Sequence, residues 1–282
     1  MATATLLLSS PDRKGLVSTF SNFIFVNNGN ILDADHHIDS TTKIFLTRIV
    51  WELDDFKIPK NEIQNEFSKI ANSVNASWSI HFSDVKKNLA IFVTKQDHCL
   101  NDLLWRVRSN ELNANISFIV GNHPDLEPTA KIFGIPFFHI PVSPDSKSSS
   151  EAIQLELIQK YKIDLVILAK YMQILSEDFI LKFPNVINIH HSFLPAFAGA
   201  NPYKRAFERG VKIIGATAHF VTKDLDEGPI IEQEIVRVSH RDDTQDLIRK
   251  GRDLEKIVLS RAVHFYTENK ILVFGNKTVI FE

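Results

Sequence analysis

The chain has 282 residues, 32 Lys+Arg against 34 Asp+Glu, and 44% hydrophobic side chains. That length suggests one large soluble domain or two smaller ones, and a formal charge of -2 lacks the basic excess of a general nucleic-acid binder. No apolar run reaches the roughly 18 residues of a membrane span. The start, Met1–Thr5, has no basic n-region of a signal peptide. The single cysteine, Cys99, can form no internal disulfide, which points to a reducing, cytoplasmic setting. A lone cysteine of this kind reads as a small buried hydrophobe.

Residues 1–84 read as β-α-β-β-α-β. Ala4–Leu8 is a short apolar run, and Leu16, Phe20, Phe23 and Ile24 give Leu16–Val26 helical spacing. Asn27–Asn30 is a stop-and-turn signal. Ile31–Ile38 and Lys43–Glu52 read as strands. Pro59–Val74 has helical spacing with Pro59 suited to a first turn, and Ser77–Phe82 alternates Trp78, Ile80 and Phe82. This order is the split βαβ module of the ferredoxin-like class. Together with the turns Asp12–Gly15 and Asn28–Gly29–Asn30, it resembles the ACT domain, a small regulatory module that often binds amino acids between paired copies. The resemblance implies an amino-acid effector at Asp12, Gly15, Asn28, Gly29 and Asn30, and a homo-oligomer. A plain packing or dimerisation domain fits the same pattern.

Beyond a polar joint at 84–88, strands alternate with helices. Strands are expected at Leu89–Thr94, Ile116–Val120, Phe137–Ile140 and Asp164–Ala169. Helices are expected at His98–Arg108, around Leu126–Phe133 and at Glu151–Lys162, with Ser143–Ser150 a polar loop. Such alternation predicts an α/β domain over 85–282, with a mainly parallel, Rossmann-like sheet covered on both faces. Sheets of this kind take ligands beyond the carboxyl ends of their strands. Ile271–Phe274 and Thr278–Phe281 around Gly275-Asn276 read as a terminal hairpin.

The run Ile187–Pro195 carries chemistry. Val186–Ile189 is strand-like, so Asn188 and His190 share one side by period two. An amide can donate to a developing oxyanion, and an imidazole can exchange a proton at neutral pH. A hydrogen-bonded core pair fits these two residues as well. Downstream, Gly215–Pro229 adds His219 and Asp226. A carboxylate near an imidazole can position a water and accept its proton, although Asp226 also suits turn chemistry before Gly228-Pro229.

Asn188-Ile189-His190, with Leu225–Pro229 downstream, resembles the formyltransferases that use 10-formyltetrahydrofolate. The longer strings Leu168–Met172, His190–Ala200 and Arg209–His219, with the preceding ACT-like module, resemble the formyltetrahydrofolate deformylase family over essentially the whole chain. The resemblance implies hydrolysis of 10-formyltetrahydrofolate to formate and tetrahydrofolate, supplying formate for purine synthesis. Asn188, His190 and Asp226 are then the catalytic set, and water and the folate are the partners. His219 is implied to support the site. His191 stands where the transferases have proline, and tunes water or packs. The folate is expected beside Met172, Gln173, Ile174 and Leu175 and the loop that begins Val221, Thr222 and Lys223. Gln173 replaces an arginine of close relatives, which bears on affinity for the folate tail.

Formyltransferases that act on a phosphorylated amine carry a glycine-containing loop after the first strand, whose backbone N–H groups hold the phosphate. The equivalent stretch here, Val93–Asp102, has no glycine and places Asp97 near the helix start, where an anion would be repelled. Water is then the expected acceptor. An amine or sugar-nucleotide acceptor, or a sensor with an inactive site, are the competing readings. His36-His37 and His190-His191 are adjacent pairs without the spacing of metal ligands, so neither a metal nor a cofactor is expected. Lys204, Arg205 and Arg209 read as a solvated helix face.

Overall fold

The computed structural model describes residues 2–195 and 202–282. Residues 196–201, part of one string quoted above, lie outside the described residues. The chain divides into two compact units, Met1–Lys86 with Asn269–Glu282, and Lys87–Glu268.

The first unit runs β1 (Thr3–Pro11), α1 (Leu16–Val26), β2 (Ile31–Asp39), β3 (Ile44–Glu52), α2 (Ile63–Ser73) and β4 (Ser77–Phe82). Its strands form an antiparallel sheet in the order β2-β3-β1-β4, the ferredoxin-like topology. Helix α2 starts at Ile63 rather than Pro59, because Pro59 opens a turn in which its carbonyl accepts from Glu62 N–H at 2.8 Å. Leu16, Phe20 and Ile24 of α1 and Ile63 and Phe67 of α2 bury Leu6, Leu8 and Ile49 on one sheet face. Leu7 and Leu46 turn to the other face, where they meet Leu272 and Phe281 of the C-terminal hairpin, strands Ile271–Phe274 and Lys277–Ile280. Leu6-Leu7-Leu8 is therefore an unbroken apolar run because both of its faces are covered. The hairpin belongs to this unit, so a second domain reaching residue 282 runs too far.

The second unit contains β5 (Lys87–Val93), α3 (His98–Arg108), β6 (Ala114–Gly121), α4 (Glu127–Ile132), β7 (Phe137–His139), α5 (Lys147–Lys160), β8 (Leu165–Leu168), α6 (Glu177–Lys182), β9 (Val186–His190), α7 (Pro202–Arg209), β10 (Ile213–Phe220), β11 (Ile230–Arg237) and α8 (Thr244–Thr267). The sheet order is β11-β10-β9-β8-β5-β6-β7. Strands β5 to β9 are parallel, and β10 and β11 add an antiparallel edge. Strand order reverses between β8 and β5, the switch point where such sheets open a crevice.

Helices α5 and α8 depart most from the sequence expectation. Helix α5 begins at Lys147, not Glu151. The serine run read as loop forms its first turn, with Ser149 and Ser150 hydroxyls donating to the Ser146 and Pro141 carbonyls at 2.8 Å each. Helix α8 was not expected. Asp243 and Asp246 form a capping box, each side chain accepting from the other's backbone N–H, at 2.9 and 3.2 Å. Leu247, Leu254, Val258 and Ala262 then form the buried stripe that packs on β9, β10 and β11. No helix among the described residues is long and apolar enough to cross a membrane.

Candidate active site

Strand register assembles the centre. Asn188 and His190 alternate along β9, and antiparallel β10 places His219 opposite Asn188 and Thr217 opposite His190. Cross-strand neighbours share a face, so Asn188, His190 and His219 meet there. Thr217 holds the chain just after His190: its hydroxyl donates to Ser192 O at 2.8 Å and accepts from Leu194 N–H at 3.1 Å.

Strand β10 ends with Phe220 opposite Ile187. Loop 221–229 then folds back across the face until Asp226 reaches His190. Asp226 Oδ2 lies 3.2 Å from His190 Nδ1, and Oδ1 lies 3.6 Å from His219 Nε2. Asp226 takes a left-handed backbone, φ 58°, a region more open to Asp than to most side chains. Gly228 passes Phe220 so closely that an added Cβ would lie 1.8 Å from the Phe220 carbonyl oxygen.

His219 Nδ1 donates to Phe220 O at 2.9 Å, and in that tautomer Nε2 is an acceptor. Asn188 Nδ2 donates to that atom at 3.3 Å. His219 thereby fixes the Asn188 amide. The hydrogen bond from His190 holds the Asp226 carboxyl well below the usual carboxylate range, against a desolvation that pushes it up. Asp226 is thus an anion at neutral pH, with His190 Nδ1 directed at it. His190 Nε2 is buried and has no hydrogen-bond partner among the described residues. The His191 ring stacks on that of His190, centroids 4.7 Å apart and planes at 19°.

These residues line a cavity of about 700 Å³. Met172, Gln173, Ile174 and Leu175 lie on its wall, as do Val221, Thr222 and Lys223. Met172, Ile174 and Leu225 are 61%, 60% and 61% exposed, so they are rim and not core, whereas Leu175 is also part of the core beneath. Met172 N–H donates to Thr94 Oγ1 at 2.9 Å and Ser176 N–H to Glu151 Oε1 at 2.9 Å. Both ends of the 172–176 segment are therefore fixed. Sequence reasoning missed Lys170, Tyr203, Arg252 and Glu255, which also line the cavity. The Asp243…Asp246 capping signal would have found the helix that carries the last two.

The residues read as regulatory are not brought together within one copy. Asp12 and Gly15 lie in the turn before α1, and Asn28, Gly29 and Asn30 in the turn after it, about 16 Å apart along the helix axis. Gly15 caps α1 with φ 92°. Asn28 Nδ2 donates to Asp55 O and Asn30 Nδ2 to Glu52, each at 3.2 Å. Elsewhere, His98, Cys99 and Glu255 have ligand-type atoms within 4.8 Å of one another. His98 and Glu255 bond each other at 2.6 Å, and burial, then the Glu255 charge, pushes the Cys99 thiol well up, away from the thiolate a metal needs.

Residues 87–263 match the formyl transferase family. A formyltetrahydrofolate deformylase of Synechocystis sp. is 56% identical over 279 residues, covering 99% of this chain and 98% of its own length. One of Bacillus subtilis is 44% identical over 278 residues, covering 98% and 93%. The crystal structure of a formyltetrahydrofolate deformylase from Pseudomonas syringae has a TM-score of 0.97 to this chain at 43% identity, covering 100% of this chain and 95% of the other.

Proposed function

We infer the reaction from one premise: the chain belongs to the formyltetrahydrofolate deformylase family. It hydrolyses 10-formyltetrahydrofolate to tetrahydrofolate and formate. The observation that carries this reading is the meeting of Asn188, His190 and Asp226 on one cavity wall.

The exposed apolar surface of Met172, Ile174 and Leu225 suits the flat pterin, and backbone groups of 221–223 can pair with its polar edge. The formyl group then lies against Asn188 and His190. A water held by the Asp226 carboxylate attacks the formyl carbon. A carboxylate with so depressed a pKa is a poor proton acceptor, so Asp226 orients and stays charged while the His190 imidazole carries the proton. The second N–H of Asn188 and the His190 ring stabilise the oxyanion. On collapse the C–N10 bond breaks, N10 takes the proton from His190, and the formic acid gives its remaining proton to solvent and leaves as formate. His219 holds the Asn188 amide in place. No cofactor enters this sequence.

Incubation of the purified protein with 10-formyltetrahydrofolate and no acceptor tests it. Formate and tetrahydrofolate are expected in equal amounts, and Asp226→Asn should lose about 10²- to 10⁴-fold in rate. Absence of formate would end the reading. The same proposal places the enzyme in the cytoplasm as a homo-oligomer whose N-terminal unit binds an amino acid. Its support is the β2-β3-β1-β4 sheet and the Gly15 turn. Because the two turns lie at opposite ends of α1, one copy cannot use both for a single ligand. Light scattering tests the assembly. A panel of amino acids that leaves rate and melting temperature unmoved would remove the effector.

A further inference from the structure

The chemistry above makes no use of a polar set of which Lys170, Tyr203 and Glu255 line the same cavity. The Glu255 side chain is 1% exposed. Its Oε2 accepts from His98 Nε2 at 2.6 Å, and its Oε1 accepts from Tyr203 OH at 2.7 Å and from Lys170 Nζ at 3.2 Å. The four residues come from the start of α3, from α7, from the second residue after β8, and from α8. Lys170 reaches its position from a left-handed backbone, φ 61°. Tyr203 reaches its own because Gly251, one turn before Glu255, leaves room: a Cβ there would lie 2.1 Å from the Tyr203 hydroxyl. Tyr203 lies 6.4 Å from the His191 ring, which stacks on His190.

We propose that His98, Lys170, Tyr203 and Glu255 are the specificity element of this site: they close its acceptor side to any nucleophile larger than water. The inference rests on the hydrolysis reading and deepens it. Lys170 and His98 follow β8 and β5, the two strands that flank the switch point, where sheets of this class take ligands. An acceptor entering there meets the Tyr203 ring, whose hydroxyl is held by Glu255, with His98 bonded to the same carboxylate behind it. An acidic or phosphorylated acceptor gains nothing from the Lys170 cation, which Glu255 already neutralises, and Asp97 adds a negative charge at the start of α3. The set is held from every side, so it stays in place while the folate binds.

The test is the partition of the formyl group. Wild type, Tyr203→Phe and the double variant His98→Ala/Tyr203→Phe are each given 10-formyltetrahydrofolate with hydroxylamine or glycinamide, and formate and the N-formyl product are measured together. In transfer the C–N10 bond breaks, a C–N bond to the amine forms, and the amine's proton ends on N10. Wild type should release formate at every amine concentration. The double variant should raise the ratio of N-formyl product to formate by about ten-fold or more. Tyr203→Phe, which removes a single hydroxyl and keeps the ring, should raise it by at least about two-fold and decides the matter if the double variant fails to fold. An unchanged ratio, whether hydrolysis survives or falls, overturns the proposal. A wild type that releases no formate overturns the hydrolysis reading instead, so the two failures are distinct.

Discussion

Gly228→Ala puts the path of the catalytic loop to a quantitative test. The added Cβ would stand 1.8 Å from the Phe220 carbonyl oxygen and 3.2 Å from Thr222 Cγ2. Phe220 cannot easily yield, since its N–H donates to Pro229 O at 2.9 Å and it pairs with Ile187. Ordinary contact requires the loop to open by roughly 1.5 Å. Asp226 is two residues away and 3.2 Å from His190, so most of that opening reaches the carboxylate. A displacement of about 1 Å from reacting geometry costs on the order of 10²-fold, so kcat/KM should fall about 10²-fold or more. Strain of this class destabilises by about 2–4 kcal/mol. The assay is formate release beside a urea unfolding curve. Gly134→Ala is the control: its φ is 69° but nothing lies within 4 Å of its Cβ, so it should cost only about 1–2 kcal/mol for the left-handed backbone and leave the rate unchanged. A Gly228→Ala enzyme with near wild-type rate and stability would refute the account of the loop.

Asn188→Ala should lower kcat by about 10²- to 10³-fold, the scale of a lost oxyanion donor, with little change in KM; a pure KM effect would assign Asn188 to ground-state binding. Met172→Ala and Ile174→Ala should raise KM for the folate several-fold while stability moves by less than about 0.5 kcal/mol, because both side chains are exposed; a large loss of stability would return them to the core. Burial pushes the Glu255 carboxyl up, but His98, Lys170 and Tyr203 outweigh it and hold it at about 2, from an ordinary 4.5. A depressed carboxyl stabilises fully above its unfolded pKa and loses that stability as pH falls through the folded one, here between about 4.5 and 2. Glu255→Gln should therefore be about 3 kcal/mol less stable than wild type at pH 7, with the gap narrowing from about pH 5 downward. Urea curves at several pH values check this, and a gap that does not vary with pH would contradict it.

What the sequence disclosed follows from which signals are local. Period two along Val186–Ile189 put Asn188 and His190 on one side, and β9 holds them so. His219 joined them through cross-strand register, which no local pattern encodes. The return of Asp226 depends on a left-handed residue and on a glycine passing another backbone, and both look like an ordinary turn in one dimension. Glu255 was invisible because it sits in the mostly charged run Arg252-Asp253-Leu254-Glu255-Lys256; only tertiary packing turns one of those charges inward. The terminal hairpin was legible as a hairpin, but not its place. The unbroken Leu6-Leu7-Leu8 run called for cover on both faces, and residues 271–281 supply the second.

The most direct measurement of the central claim is the reaction run in heavy-oxygen water with no amine present, the formate being analysed by mass for wild type and Asp226→Asn. Direct attack by water predicts formate with one heavy oxygen, formed in step with tetrahydrofolate by wild type and at a rate reduced by about 10²-fold or more in the variant. Formate without the label, or an equal rate in both enzymes, would contradict a hydrolytic water held by Asp226.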